Sequence, residues 1–135
     1  MEELTRKILE LHDFEVEFRK VFRNSERKFE IDVVATKAGL CLAIDCKRYG
    51  HSRYRRSPLR SEAGKHKARC REFERIFGRK AIPIIVSFID DDLLVENGCI
   101  FVPIDKLNDF LLNLGQYLES FDDKIQNNNF SSGTV

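Results

Sequence analysis

Two runs of alternating residues on either side of a glycine-containing turn constrain the fold of this 135-residue chain most strongly. They occupy 29–47 (FEIDVVATKAGLCLAIDCK), and their period of two predicts a pair of half-buried strands. If Ala38 and Gly39 form a two-residue loop, paired positions sum to 77. Asp32 then lies opposite Asp45. The segment therefore predicts a β-hairpin with two carboxylates on residues whose Cβ atoms are roughly 4.5–5.5 Å apart.

Two interpretations of this hairpin remain open from the alternation alone. Opposed carboxylates repel each other unless a cation lies between them, and a hard divalent ion with oxygen ligands is one such cation. Lys47 shares a face of its strand with Asp45 and could reach a phosphate or water bound there. Alternatively, the face is solvated, and Glu30 and Lys47 form a surface ion pair worth under about 1 kcal/mol. A longer loop would shift the register.

Charge is distributed unevenly along the chain, although the net charge is only +1. From 47 to 80 there are thirteen Lys or Arg residues against three Glu, whereas from 90 to 124 nine acidic residues face two Lys. A basic half beside an acidic half is typical of a molecule with one side that faces a polyanion. The alternative is charge complementarity within the molecule or between two copies of it.

Composition indicates a globular domain with a real core, because 42% of the residues are hydrophobic and 33% are charged. No apolar run approaches the roughly 20 residues needed to span a bilayer, so no membrane partner is expected. The cysteines form no CxxC pair; they are Cys41, Cys46, Cys70 and Cys99. We therefore expect reduced, mostly buried thiols and a cytoplasmic protein, with a zinc or iron–sulfur site as the alternative.

The other elements follow from periodicity and from capping signals. In chain order they are a helix over 2–11, a strand over 14–22, the hairpin, a helix opened by Ser57-Pro58 and closed by Gly78, a strand over 81–88, a helical turn over 90–94, a strand over 99–103 and a helix capped by Asp105. This order, α-β-β-β-α-β-β-α, predicts an α/β fold with a central mixed sheet flanked by helices. We expect one domain over 1–121 and a disordered tail over 122–135.

With its order of elements and its acidic residues, the chain resembles the PD-(D/E)xK nuclease superfamily, which has the restriction-endonuclease-like fold. It is most similar to the archaeal Holliday-junction resolvases and the Mrr-type restriction endonucleases. The resemblance covers roughly 2–120 and is carried by the N-terminal helix, by Glu30-Ile31-Asp32 and by the strand 44–49 (IDCKRY). It implies a divalent-metal-dependent endonuclease that hydrolyses DNA phosphodiester bonds, with selectivity for structure or modification, in repair, recombination or restriction.

The same resemblance implies the ligands of a catalytic metal ion. Asp32, Asp45 and the backbone carbonyl of Cys46 would bind Mg²⁺ or Mn²⁺. Glu2 at the start of the first helix would contribute a further catalytic carboxylate, with Glu3 as the alternative. No organic cofactor is expected.

Lys47 completes the implied catalytic set, because it would orient the attacking water or stabilise developing negative charge. Glu30 would neutralise Lys47 when no substrate is present. His66 falls on the apolar stripe of its helix, which is typical of a satisfied core histidine. The basic loop and helix would hold DNA through Arg48, Arg53, Arg55, Arg56, Lys65, Lys67, Arg69, Arg71 and Arg75.

Three functions are therefore compatible with the sequence. The first is the endonuclease, acting as a homodimer that reaches both DNA strands. The second is a catalytically inactive DNA-binding module on the same fold. The third is a protein-interaction domain whose charged halves pair between subunits. The intact set of Asp32, Asp45 and Lys47 favours the endonuclease over the inactive module.

Overall fold

A computed structural model describes residues 1–47, 56–88 and 92–121, with the side chains of 56 and 57 left out of the description. The elements within these ranges are α1 (Glu2–Leu11), β1 (Glu15–Arg23), β2 (Lys28–Lys37), β3 (Leu40–Lys47), α2 (Arg56–Phe77), β4 (Ile82–Ser87), β5 (Leu94–Glu96), β6 (Cys99–Pro103) and α3 (Leu107–Leu112). The chain is helical again over 114–121. The predicted basic loop spans 48–56; its positions 48–55 and the predicted tail over 122–135 lie outside the described residues, whereas Arg56 begins α2.

The six strands form one mixed sheet in the order β1-β2-β3-β4-β6-β5. β1, β2 and β3 are antiparallel, β3, β4 and β6 are parallel, and β5 runs antiparallel to β6. α2 connects the parallel strands β3 and β4, as a parallel pair requires a long crossover. The predicted mixed α/β sheet is confirmed.

The β2–β3 hairpin has the predicted register, since its paired positions sum to 77 along the ladder. Ala38 and Gly39 form the turn with φ values of 47° and 83°. Positive φ at both residues is what a type I′ turn requires, and this turn matches the twist of the flanking strands. Continued by one step, the register places Asp32 opposite Asp45.

Helices cover both faces of the sheet. Leu9 of α1 and Phe110 of α3 pack in one apolar cluster with Ile44 of β3. Phe73 of α2 packs in another cluster with Ala43, the neighbour of Ile44 in the same strand. Because consecutive residues of a strand point to opposite faces, α2 lies across the sheet from α1 and α3.

The predicted helical turn over 90–94 is wrong for the positions of it that the structure describes, 92–94. Leu94 begins β5, which pairs with β6 to form a hairpin. Asn97-Gly98 is the turn of this hairpin, and both residues have a positive φ. Asn-Gly between two short apolar runs is a strong hairpin signal, so the extra strand could have been predicted. The true order therefore contains one strand more than expected.

Both predicted N-terminal helix caps differ from the structure, whereas Gly78 follows the last residue of α2 as predicted. Asp105 lies inside a 3₁₀ turn (Ile104–Lys106) that makes no side-chain cap hydrogen bond, and α3 begins after it at Leu107. α2 begins at Arg56, one residue before the predicted cap Ser57.

No helix within the described residues is long and apolar enough to cross a membrane.

The prediction about the thiols is confirmed. All four cysteines are free; three are buried, and Cys46 is half-buried. Burial raises the pKa of the Cys99 thiol to about 12, and it raises the pKa of Cys46 to about the same value. These groups therefore stay protonated near neutral pH and behave as core side chains.

Replacing Gly98 with alanine should destabilise the fold more than replacing Gly39. Both glycines have a positive φ, which costs an alanine roughly 1–2 kcal/mol in either place. At Gly98 the new Cβ would also lie 2.7 Å from the Nζ of Lys67, whereas at Gly39 it meets nothing within 4 Å. Urea unfolding should show an extra loss of about 0.5 kcal/mol for G98A. Equal losses would contradict the described packing of Lys67 against this turn.

Candidate active site

The residues of the predicted motif meet where β3 ends. Asp45 and Lys47 share a face there, and the Nζ of Lys47 lies 3.3 Å from Oδ2 of Asp45. Asp32 of β2 is joined to the same strand end, because the Cys46 N–H donates a hydrogen bond to its Oδ2 at 2.9 Å. Open α/β sheets commonly bind ligands outside the carboxyl ends of their strands, and this is such an end.

The two carboxylates of the motif lie in a desolvated environment. Asp45 is only 7% exposed, and Asp32 is half-buried. Burial raises the pKa of Asp32, and so do its hydrogen bond to Asp45 and the negative charge of that residue. The Cys46 N–H and the charge of Lys47 act in the opposite direction. These effects favour the neutral form of Asp32 or a positive charge beside the pair, and Lys47 and Arg69 already place positive charge next to Asp45.

Glu62 of α2 belongs to this site, although the sequence analysis did not single it out. Its Oε2 lies 3.3 Å from Nζ of Lys47. Burial lowers the pKa of Lys47, but the carboxylates of Asp45 and Glu62 outweigh this effect and raise it above the ordinary value. The expected pairing of Lys47 with Glu30 is wrong, since the ion pairs of Lys47 among the described residues are those with Asp45 and Glu62.

The structure places Arg69, one of the predicted DNA contacts, against Asp45. Its Nη2 lies 3.1 Å from Oδ2 of Asp45, and the side chain is 22% exposed. The same nitrogen is 3.4 Å from Nδ1 of His66, whose Nε2 is 2.8 Å from the carbonyl oxygen of Ala43. Because a carbonyl only accepts, Nε2 must carry the hydrogen, and Nδ1 of the neutral ring can then accept from Arg69. His66 therefore positions Arg69 for its contact with Asp45.

His66 is fully buried, which confirms the prediction of a satisfied core histidine. Burial lowers its pKa to about 4, and the positive charge of Arg69 adds to this effect. The hydrogen bond to Ala43 acts in the opposite direction. The ring is therefore neutral at pH 7, in agreement with its role as both donor and acceptor.

Glu2 lies at the beginning of α1, close enough to the site to act on it electrostatically. The raised pKa of Cys46 has burial as its main cause and the charge of Asp32 next, but the charge of Glu2 also contributes. The Oε1 of Glu2 is 3.9 Å from Nε of Arg19. Glu3 pairs instead with Arg6 of the same helix, at 3.9 Å.

The donor set fits a hard divalent cation. Asp32, Asp45 and the backbone carbonyl of Cys46 offer oxygen atoms only, which suits Mg²⁺ or Mn²⁺, and water and substrate oxygens would have to complete the coordination. In the ranges that the structure describes, no group of three or more His, Cys, Asp and Glu residues is arranged to hold a metal ion. Because Lys47 and Arg69 both contact Oδ2 of Asp45, a cation bound there would compete with them.

The predicted DNA-binding residues occupy different surroundings. Several of them are not described: Arg48, Arg53 and Arg55 lie outside the described residues, and the side chain of Arg56 is left out. On α2, Lys65, Arg71 and Arg75 are exposed and Lys67 is half-buried. Arg75 forms an ion pair with Glu72 at 2.8 Å. Lys65, Arg71 and Arg75 are thus accessible to a ligand in solution, which would compete with Glu72 for Arg75 and with Glu62 for Lys65.

Fold and site together define a class: a mixed α/β protein with two carboxylates and a lysine at the end of a central strand. No protein-family model matches the chain. An uncharacterized protein of Archaeoglobus fulgidus is 52% identical over 116 residues, which cover 86% of this chain and 90% of that protein. The chain belongs to the family of this archaeal protein.

Solved structures share the fold at low sequence identity. A protein of unknown function, AF1548, has a TM-score of 0.61 at 23% identity, with 76% of this chain and 55% of that one covered. Can2 from Sulfobacillus thermosulfidooxidans, in complex with cyclic tetra-adenylate, has a TM-score of 0.54 at 17% identity, with 83% and 33% covered. The chain thus spans about half of AF1548 and a third of Can2, and the likeness shows the fold alone.

Proposed function

We propose that this chain is a divalent-metal-dependent endonuclease of the PD-(D/E)xK superfamily that hydrolyses DNA phosphodiester bonds. The observation that carries the proposal is the meeting of Asp32, Asp45 and Lys47 at the end of β3. There, Nζ of Lys47 lies 3.3 Å from Asp45, and Asp32 accepts the N–H of the intervening Cys46. The fold is shared with Can2, a protein solved in complex with cyclic tetra-adenylate.

Each residue of the site would have a distinct task. Asp32 and Asp45 would hold Mg²⁺ or Mn²⁺, with the carbonyl of Cys46 as a third donor and Glu2 as a further carboxylate. When bound, such an ion polarises a phosphoryl oxygen and lowers the pKa of a coordinated water. Lys47 would donate a hydrogen bond to the attacking water or to the scissile phosphate. Its charge would stabilise the negative charge that develops there.

Glu62 would keep Lys47 in place between reaction cycles. The ion pair of 3.3 Å holds the ammonium group at the end of β3, and the Lys47 side chain as a whole stays a third exposed to solvent. A phosphodiester that enters the site carries the same single negative charge as this carboxylate, and its oxygens can replace Glu62 as acceptors for the ammonium group. Glu62 is therefore a positioning residue in the proposed mechanism, in place of the expected Glu30.

The DNA would be held through its phosphates by the exposed cations of α2 and by the basic residues over 48–56. Phosphate contacts carry no base sequence information by themselves, so duplex, branched or modified DNA would be distinguished by shape. A homodimer would allow cleavage of both strands. No organic cofactor is required for this chemistry.

A catalytically inactive DNA-binding module is the second candidate, and one observation favours it. Oδ2 of Asp45 lies within 3.3 Å of two cationic groups, one from Lys47 and one from Arg69. The carboxylate is thereby neutralised without any metal ion. If these contacts persist in solution, the basic surface would still bind DNA, but no metal-activated water would form.

Cleavage of a panel of labelled nucleic acids separates the two candidates. Linear duplex, single strand, flap, four-way junction and an RNA duplex are incubated with wild type and with Asp45→Ala, in Mg²⁺ or Mn²⁺. We expect wild type to cut at least one DNA and Asp45→Ala to cut none. Salt-sensitive binding by both proteins without cutting would select the inactive module. Neither cutting nor binding would indicate a protein-interaction surface and contradict both.

A further inference from the structure

A cavity of about 370 Å³ lies at the opposite end of the sheet from the candidate active site. Its wall is formed by the first residues of the three parallel strands, together with α2 and the helical segment over 114–121. Leu40 at the start of β3 lines it, whereas Asp45 lies five residues further along the same strand. The rise of a strand puts about 16 Å between these two positions, so the cavity is separate from the site at the end of β3.

Three positively charged side chains line this cavity: Lys67, Arg71 and Lys80. Within the described residues, the salt bridges of the protein involve none of them. Glu74 is the one acidic residue among those described in the wall. Its Oε2 accepts the Ala81 N–H at 2.8 Å, so part of its hydrogen-bonding capacity is committed to the backbone. Among the described residues of the wall, three positive charges therefore face one negative charge.

The side chain of Lys67 packs against the backbone of Gly98 in this wall. A Cβ on Gly98 would lie 2.7 Å from its Nζ and 2.9 Å from its Cε. The ammonium group thus lies directly over the β5–β6 turn, in space that exists because residue 98 has no side chain. A lysine packed in this way loses less rotamer freedom on binding an anion than a lysine extended into solvent.

The floor of the cavity is apolar. Leu40, Ile82, Pro83, Ile100 and Phe121 contribute to it, from both faces of the sheet end. Its volume is near the lower end of the range of small-molecule sites, about 300–1,000 Å³. An apolar floor beneath a cationic rim matches a small organic anion, in which a charged group projects from a flat apolar body.

We propose that this cavity binds an organic phosphate of the size of a nucleoside monophosphate. A phosphate monoester carries about −1.5 to −2 charges at pH 7, which matches three cations opposed by one carboxylate better than a singly charged carboxylic acid does. The planar base would lie against the apolar floor, and the phosphate would lie among Lys67, Arg71 and Lys80. This site needs no metal ion and shares no residue with the proposed catalytic set, although Lys67 and Arg71 are also among the predicted DNA contacts.

Isothermal titration of the full chain with AMP, GMP, CMP and UMP in metal-free buffer tests the proposal. We expect saturable binding of at least one of them at one site per chain. Inorganic phosphate and the free nucleoside should each bind at least about tenfold more weakly, because each offers only half of the complementary surface. Lys67→Met and Lys80→Met should each weaken binding by about tenfold, since each removes one charged hydrogen-bond donor.

Two matched variants locate the site. Lys65→Met removes an exposed lysine of the same helix that does not line the cavity, and Lys47→Met removes the lysine of the candidate active site. Both should leave the affinity unchanged within about twofold, a shift smaller than the loss of one weak contact. The proposal is overturned if none of the four nucleotides binds. It is also overturned if Lys65→Met weakens binding as much as Lys67→Met, or if Lys47→Met abolishes it.

Discussion

Lys47→Met should lower the rate of DNA cleavage by about 100- to 1,000-fold and leave DNA affinity nearly unchanged. Methionine keeps the apolar stem of lysine but removes the ammonium group that contacts Asp45 and Glu62 at 3.3 Å. The reaction then loses a charge that acts on the scissile phosphate, whereas the phosphates held along α2 keep their contacts. Single-turnover cleavage and a gel-shift titration of the same DNA measure the two effects separately.

Lys65→Met is the matched control for this experiment. Lys65 also contacts Glu62, at 3.9 Å, but it is 67% exposed and forms no ion pair with Asp45. Its loss should leave the chemical step intact and weaken DNA binding slightly. If Lys47→Met loses binding and cleavage to the same extent, Lys47 is a phosphate contact and not a member of the catalytic set.

The stability of the fold should fall as the pH is lowered from 7 to 4, and His66 should be a main cause. The unfolded chain protonates this ring near its ordinary pKa of 6.5, whereas burial lowers the pKa in the folded state to about 4. Between these values the unfolded state binds the extra proton, so acid favours unfolding. The full stabilisation is present above pH 6.5, and up to about 3 kcal/mol of it is lost by pH 4.

His66→Gln isolates this contribution. The glutamine amide can still donate to the carbonyl of Ala43 but does not titrate. Asp32 acts in the opposite direction, because its raised pKa lets the folded state take up a proton first, but it is present in both proteins and cancels in the comparison. Urea unfolding from pH 7 to pH 4 should give a steeper loss for wild type. Parallel curves would contradict the described environment of His66.

The sequence was sufficient to predict the centre of this fold because the hairpin is locally determined. Alternation indicates which residues face the core, and a two-residue turn at Ala38-Gly39, one of the loop lengths that the sequence left open, makes Asp32 and Asp45 neighbours. A slip of one residue would have turned every apolar side chain of the strand to the other face. The sheet was predicted to be mixed because apolar strands precede and follow the helix α2, in addition to the hairpin.

The partners on α2 could not be predicted in the same way. Arg69 is separated from Asp45 by 24 positions, and their contact depends on how the helix is rotated over the sheet. Glu62, His66 and Arg69 follow one another at spacings of four and three, which places them on one helix face. That spacing was visible, but only the packed structure shows that this face meets the acidic strand end. The basic character of the helix favoured a phosphate contact instead.

The most direct test of the proposed nuclease site is a cleavage time course on labelled four-way junction and duplex DNA. Wild type and Asp32→Asn are compared in Mn²⁺ and in EDTA, with DNA binding measured in the same buffers. We predict products only for wild type in Mn²⁺. Asp32→Asn removes a negatively charged ligand of the metal ion but keeps a side-chain oxygen that can accept the hydrogen bond from the Cys46 N–H. Cleavage in EDTA, cleavage by Asp32→Asn at the wild-type rate, or binding without cleavage by wild type would contradict a metal-dependent nuclease site at the end of β3.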